Sequence, residues 1–171
     1  DLPSDIDKYR PVTCSLEFFF DKDKTSVTMR AQAVYGAIRY DLVGELTERP
    51  EPEGVVLPVR DVKREAKARS LAACYFGAGA SLALSDGDSV GALLFGGLVE
   101  FRKAGSVFTT PAFDRLIRDV KPRVTMGVSL SGNLINLVVD AGDLPASELS
   151  ALLSSYRRRK HYHRLRSGAF I

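Results

Sequence analysis

The sequence predicts an α+β fold: an antiparallel N-terminal meander, then mixed helices and a second antiparallel hairpin. Three observations carry that expectation. Apolar residues alternate with period two over residues 12–42, recur at helical spacing over 60–76 and 87–105, and alternate again over 123–140. Two sheets with helices packed on one face satisfy both periods.

In VTCSLEFFF (12–20), Val12, Cys14, Leu16, Phe18 and Phe20 share one face of a strand, and Thr13, Ser15, Glu17 and Phe19 share the other. DKDKTS (21–26) is a polar turn. VTMRAQAVYG (27–36) alternates through Val27, Met29, Ala31, Ala33 and Tyr35, and AIRYDL (37–42) adds a third strand after Gly36. Residues 1–46 thus make the meander. GELTERPEPEG (44–54), rich in Pro and Glu, supplies a linker or loop over 47–54. Residues 55–171 form the α+β remainder, packed with the meander or as its own domain.

RDVKREAKARSLAACYF (60–76) reads as a helix with Asp61 as N-cap and Gly77 as its stop. SLALS (81–85) is strand-like. In GDSVGALLFGGLVEFRKAG (87–105), Val90, Leu93, Leu94, Leu98 and Phe101 stand at helical spacing, and Gly105 ends the run. Gly91, Gly96 and Gly97 each cost such a helix about 1 kcal/mol relative to Ala; close packing against a neighbour would account for them. SVFTT (106–110) is extended. Thr110 caps a further helix that starts at Pro111, with Phe113, Leu116, Ile117 and Val120 as its apolar stripe. RVTMGVSLSGNLINLVVD (123–140) is a hairpin turning at Ser131-Gly132-Asn133. Leu149, Leu152, Leu153 and Tyr156 then give a last amphipathic helix, which runs directly into a block of arginines.

Composition bounds the function. With 171 residues, 45% hydrophobic and 26% charged, the chain can bury a real core. No apolar run approaches the roughly 18 residues of a membrane span, and no basic-then-apolar leader is present. The start at Asp1 fits a piece of a longer polypeptide. Two cysteines, Cys14 and Cys74, make no disulfide framework and read as small core residues, which fits a cytoplasmic setting. The net charge of +3 hides an asymmetry: six of the 24 Lys and Arg, and none of the 21 acids, fall in residues 157–171. The rest of the chain is slightly acidic.

Searching for catalytic motifs removes most enzyme classes. None of the 14 glycines is followed by lysine, so the phosphate-cradling G-x-x-x-x-G-K loop is missing. GAGAS (77–81) lacks a dinucleotide fingerprint's third glycine and follows a helix. GVSLSG (127–132) has Ser131 where a nucleophile elbow needs glycine, so Ser129 belongs to a strand. His161 and His163 are two ligands short of a zinc site and read as solvated or backbone-bonded. DKDK (21–24) lacks a calcium loop's glycine and distal glutamate. No cofactor and no metal are expected in this chain.

Three stretches carry a family likeness: DVKREAKARSLAACYF (61–76), the hairpin with VSLSGNLINL (128–137), and the helix ending in SYRRRKHYHRL (155–165) before Ser-Gly-Ala-Phe. Together they resemble the helicase-associated region of bacterial Swi/Snf-type (sucrose-nonfermenting type) ATPases, the segment preceding the ATPase motor. The closing pattern of that family, Tyr-Arg-x-Lys-Lys, then Tyr-x-Arg-Leu, a Gly and a Phe, has its corresponding places at Tyr156, Arg157, Arg159, Lys160, Tyr162, Arg164, Leu165, Gly168 and Phe170, with arginine for the first lysine at 159. Ser167 stands where the family more often has an acid. The resemblance implies a non-catalytic accessory region whose parent chain is a helicase-like ATPase. ATP and Mg would belong to two RecA-like lobes beyond residue 171. The partners implied are those motor lobes and DNA, with no membrane.

The candidate contact residues are Arg157, Arg158, Arg159, Lys160, Tyr162, Arg164 and Arg166. Three uses remain open for them. Arg and Lys neutralise phosphates and release counterions, and interleaved aromatics can stack on unpaired bases. The same cations could brace a motor lobe, or simply complement the negative end of the helix macrodipole from a solvated surface. An alternative of another class is a protein-interaction module that recruits a partner through a sheet edge or the helix at 88–103, with the basic tail incidental.

Overall fold

The alternation in residues 12–42 becomes three antiparallel strands, β1 (Ser15–Lys22), β2 (Ser26–Tyr35) and β3 (Ile38–Val43). The computed structural model describes residues 12–44, 57–117, 125–131, 134–140, 144–160 and 162–171; the two strands between 125 and 140 are described as backbone. The 47–54 linker, the Gly132-Asn133 turn, Val120 and His161 lie outside the described residues. The chain divides into two compact units, Asp1–Phe113 and Asp114–Ile171.

Asp23 closes the first hairpin. Its carboxylate accepts from the Thr25 and Ser26 N–H groups and from the Ser26 hydroxyl, at 2.7, 2.6 and 2.8 Å. The Thr25 bond, followed by those of Ser26, pulls its pKa down to about 2. The second acid of DKDK therefore serves a turn.

Helix α1 (Val62–Phe76) begins where Asp61 accepts from the Arg64 N–H and ends at Gly77, whose φ of 65° only glycine adopts cheaply. A short strand β4 (Ser81–Ala83) pairs with β2. Then come α2 (Gly87–Ala92), a π-helical segment Leu93–Gly97, α3 (Leu98–Ala104) and β5 (Ser106–Thr109). β5 lies parallel to β1, giving a mixed five-stranded sheet of order β3-β2-β1-β5 with β4 on β2. The fold class is α+β.

One sheet face is the core. Phe18 and Phe20 pack edge-on against Phe101 of α3, at centroid distances of 4.9 and 5.1 Å, and Phe20 also meets Phe76 and Phe113. All five phenylalanines are buried. Close packing accounts for Gly97, on which a Cβ would lie 2.9 Å from the Tyr75 ring, whereas a Cβ on Gly96 would meet its nearest neighbour only at 4.0 Å. A Cβ on Gly105, in extended backbone, would run into the Leu16 carbonyl of β1. The smooth helix expected over 87–105 is instead broken by the π turn containing Gly96 and Gly97.

Three expectations need correction. Cys14 is buried, but Cys74 is exposed, because α1 turns Ala68, Ala72 and Phe76 inward and position 74 falls on the other side. Thr110 does cap a helix, accepting from the Phe113 N–H at 3.3 Å, yet α4 spans only Pro111–Asp114. Tertiary pairing overrides the helical stripe there, since Ile117 forms a parallel bridge with Phe170. Tyr156 does not join the apolar stripe of its helix; its side chain is 79% exposed.

A buried carboxylate fixes α1 to the sheet. Glu65, 2% exposed, accepts from the Tyr35 hydroxyl at 2.9 Å and from Arg60 Nε and Nη2 at 2.9 and 2.7 Å, with Arg69 Nη2 at 3.6 Å. The Tyr35 oxygen in turn accepts from the Asp61 N–H at 2.6 Å. The Arg60 guanidinium also lies 4.2 Å from the centre of the Tyr40 ring. Burial pushes the Glu65 carboxyl up, but bonds from Arg60 and Tyr35 and the two cationic charges outweigh it and hold it below its ordinary value. Burial, aided by Cys14, raises the Tyr35 phenol.

Two predictions follow from this lock. Glu65 contributes its full stabilisation above pH 4.5, its ordinary pKa, and loses it as pH falls through the lower folded value. Tyr35 contributes fully below pH 10.0, and its share fades as pH rises above that. Urea denaturation across pH should show both limbs, with Glu65→Gln removing part of the acid one. Tyr35→Phe, which removes one of the bonds to a buried carboxylate and leaves the Asp61 N–H without its hydroxyl acceptor, should cost about 1–3 kcal/mol in the same assay.

Candidate functional site

The basic block lies in the second unit, after a hairpin of β6 (Thr125–Ser131) and β7 (Leu134–Asp140) paired from Thr125↔Asp140 to Ser131↔Leu134. Helix α5 (Ala146–Arg157) follows Pro145, whose carbonyl accepts from the Glu148 and Leu149 N–H groups. Arg157 is its last residue and Arg158 its C-cap.

The helix ends in a Schellman turn. The Arg159 N–H donates to the Tyr156 carbonyl at 2.9 Å, and the Lys160 N–H donates to the Ser155 carbonyl at 3.1 Å. This geometry needs a left-handed residue after the cap, and Arg159 supplies it with φ 57°. Among the described residues it is the sole non-glycine with positive φ. Helices normally place Gly here, because a Cβ crowds the following carbonyl.

Past the turn, the chain is pinned by its own pairing. His163 and Ile171 exchange N–H···O=C bonds of 3.0 Å each, and the Leu165 N–H donates to Ala169 at 2.8 Å around a turn where Gly168 takes φ 88°. The Phe170 N–H donates to the Leu116 carbonyl at 2.7 Å. Leu165 and Leu144 are buried together, with Leu149 and Ile171 against them. His163 Nδ1 lies 2.9 Å from the Ser155 hydroxyl, tying this return to α5. The end of the chain is therefore a folded clasp.

That clasp sorts the predicted contact residues. Arg157, Arg158, Arg159 and Lys160 are all exposed at one corner, and among the described residues none of the four pairs with a carboxylate. Arg164 sits 5.9 Å from the centre of the Phe170 ring, and Arg166 lies on the following turn, its N–H donating to Glu148 Oε1 at 3.2 Å. Tyr162 is half-buried and engaged in contacts of its own. The exposed ring at the corner is Tyr156, which the sequence pattern assigned to the core side. The one sequence signal for this turn was negative: no Gly or Asn follows the helix where a left-handed residue is required.

A concavity of about 840 Å³ lies on the outer face of the five-stranded sheet. Its floor is a cross-strand row in which Phe19 stacks on Phe108 at 5.0 Å with Arg30 4.7 Å from the Phe19 ring. Its carboxylate, Asp21, accepts from the Thr110 hydroxyl at 2.6 Å, the main cause of its lowered pKa. These groups partner one another and stabilise the β1–β5 pairing, so nothing in the cleft points to a ligand. At the basic corner, by contrast, the four cations and the Tyr156 ring are exposed and, among the described residues, without partners.

Replacing Arg159 by glycine removes the Cβ penalty while keeping the turn. Arg159→Gly should stabilise the protein by roughly 0.5–1 kcal/mol, read as a higher urea midpoint with unchanged slope.

Among the described residues, no helix is long and apolar enough to cross a membrane. No curated protein and no solved structure matches the chain. A family model does, and it spans everything described above: the chain belongs to the bacterial SNF2 helicase associated family, whose model matches residues 1–171, the whole chain.

Proposed function

We propose that this chain is a non-catalytic accessory region that works beside an SNF2-type ATPase motor in the same polypeptide, and that its basic corner holds DNA phosphates for that motor. The observation that carries the reading is the corner at residues 157–160, where four cations stand exposed and, among the described residues, without acidic partners. A disordered basic tail would pay ordering entropy on binding; cations fixed by a helix end and a pinned clasp pay less. The remainder of the chain is slightly acidic, so attraction for a polyanion is confined to this end. ATP and Mg would be held by the motor, as would every chemical step. The bacterial cytoplasm is the setting this role requires.

Docking of the same corner on an acidic face of a motor lobe is the competing use, and one experiment separates the two. DNA binding by the isolated chain, followed by fluorescence anisotropy, should weaken with salt at a log–log slope near −0.9 for each phosphate contact on duplex. The triple variant Arg157→Ala, Arg158→Ala, Lys160→Ala should flatten that slope. Salt-independent or absent binding at low ionic strength, together with altered ATPase rate in the full chain carrying the triple variant, would assign the corner to motor docking.

A further inference from the structure

The corner holds one group that the electrostatic reading leaves unused. Tyr156 is 79% exposed, and among the described residues its ring has no stacking partner and its hydroxyl no hydrogen bond. It lies on the last turn of α5, and the Arg159 N–H donates to its carbonyl at 2.9 Å, so the two residues adjoin at the helix end. Burying such a ring offers a large apolar gain, and the helix could have done so by turning it toward Leu149 and Leu165. It does not.

The turn at Arg159 sharpens the point. Were the helix to continue through Lys160, residues 157–160 would fan about 100° apart around its axis. The left-handed residue ends the helix instead, and all four cations stay in solvent next to the ring. Among the described residues no ion pair repays the strain of an arginine in that conformation, and strain of this kind gathers where a side chain is needed for contacts outside the fold.

We infer that Tyr156 is a base-stacking residue, and that with Arg159 it forms a site for unpaired nucleotides: the ring stacks on a base while the guanidinium takes the adjoining phosphate. A π-face meets any base, so the site is indifferent to sequence, and it requires a base free of its duplex partner. A paired helix presents only phosphates to the corner and leaves Tyr156 idle. This inference rests on the proposed nucleic-acid role and adds to it a preference for single strands, assigned to a residue that makes no electrostatic contribution.

The test compares an unstructured single-stranded oligonucleotide with a duplex of the same length at fixed salt, by anisotropy. Tyr156→Ala should weaken single-strand binding by roughly tenfold, within the range a single base stack supplies, and leave duplex binding unchanged. Tyr156→Phe should retain single-strand affinity, since the face and not the hydroxyl does the work. Arg159→Gly, which preserves the turn, should weaken single-strand binding while raising the urea midpoint. Tyr156 is exposed, so its variants should fold as the parent does, checked by circular dichroism. If Tyr156→Ala loses nothing on single strands, or loses as much on duplex, the stacking site is wrong while the basic corner still stands. If neither the Tyr156 variants nor the triple cation variant change binding to either nucleic acid, the nucleic-acid reading fails as well.

Discussion

Glu65 is the constraint around which the first unit is arranged. A carboxylate taken out of water is costly unless its charge and lone pairs are met inside, and meeting them here requires four residues from three places. Tyr35 must end β2 with its hydroxyl turned inward, Arg60 must precede the helix, and Arg69 must follow one turn later. The Asp61 N–H completes the set by donating to the same tyrosine. α1 thereby has one azimuth and one entry point relative to the sheet. With the helix so placed, Ala68, Ala72 and Phe76 face the core and Phe76 reaches Phe20. An apolar helix could slide along a flat sheet face; this one cannot.

Much of this was legible beforehand because period and punctuation are local properties. The alternation of residues 12–42, the Asp61 cap, the Gly77 stop and the 123–140 hairpin all appear where the pattern put them, and the family likeness read from the closing motif is the family the chain belongs to. What escaped was set by distant partners. Nothing near Ile117 announces that Phe170 will pair with it and end the helix at Asp114. The parallel partnership of β5 with β1 is likewise invisible in SVFTT itself. Glu65 stands in the sequence among the lysines and arginines of its helix, and only the fold reveals it as buried.

The basic end illustrates the same division. Its charge was plain in the sequence, but charge alone does not distinguish a frayed tail from a shaped surface. The difference lies in backbone: a Schellman turn at 155–160, a clasp closed between His163 and Ile171, and two leucines buried behind it. Helical periodicity also misassigned Tyr156, because a spacing of three or four marks a side of the helix without saying whether anything covers that side near its end. Position on the helix was readable; cover was not.

The parallel pairing of β1 with β5 has a consequence for how the protein is made. Thr110 and Asp21, joined by a hydroxyl–carboxylate bond, are 89 residues apart in the chain. During synthesis the meander leaves the ribosome early, yet one side of β1 must wait for almost the whole of the first unit before its neighbour arrives. Until then the row of phenylalanines along β1 has no Phe101 or Phe113 to receive it. High contact order of this kind slows folding and leaves a nascent sheet edge open to other chains. A recombinant piece cut anywhere between β3 and β5 would freeze the protein in that unprotected interval.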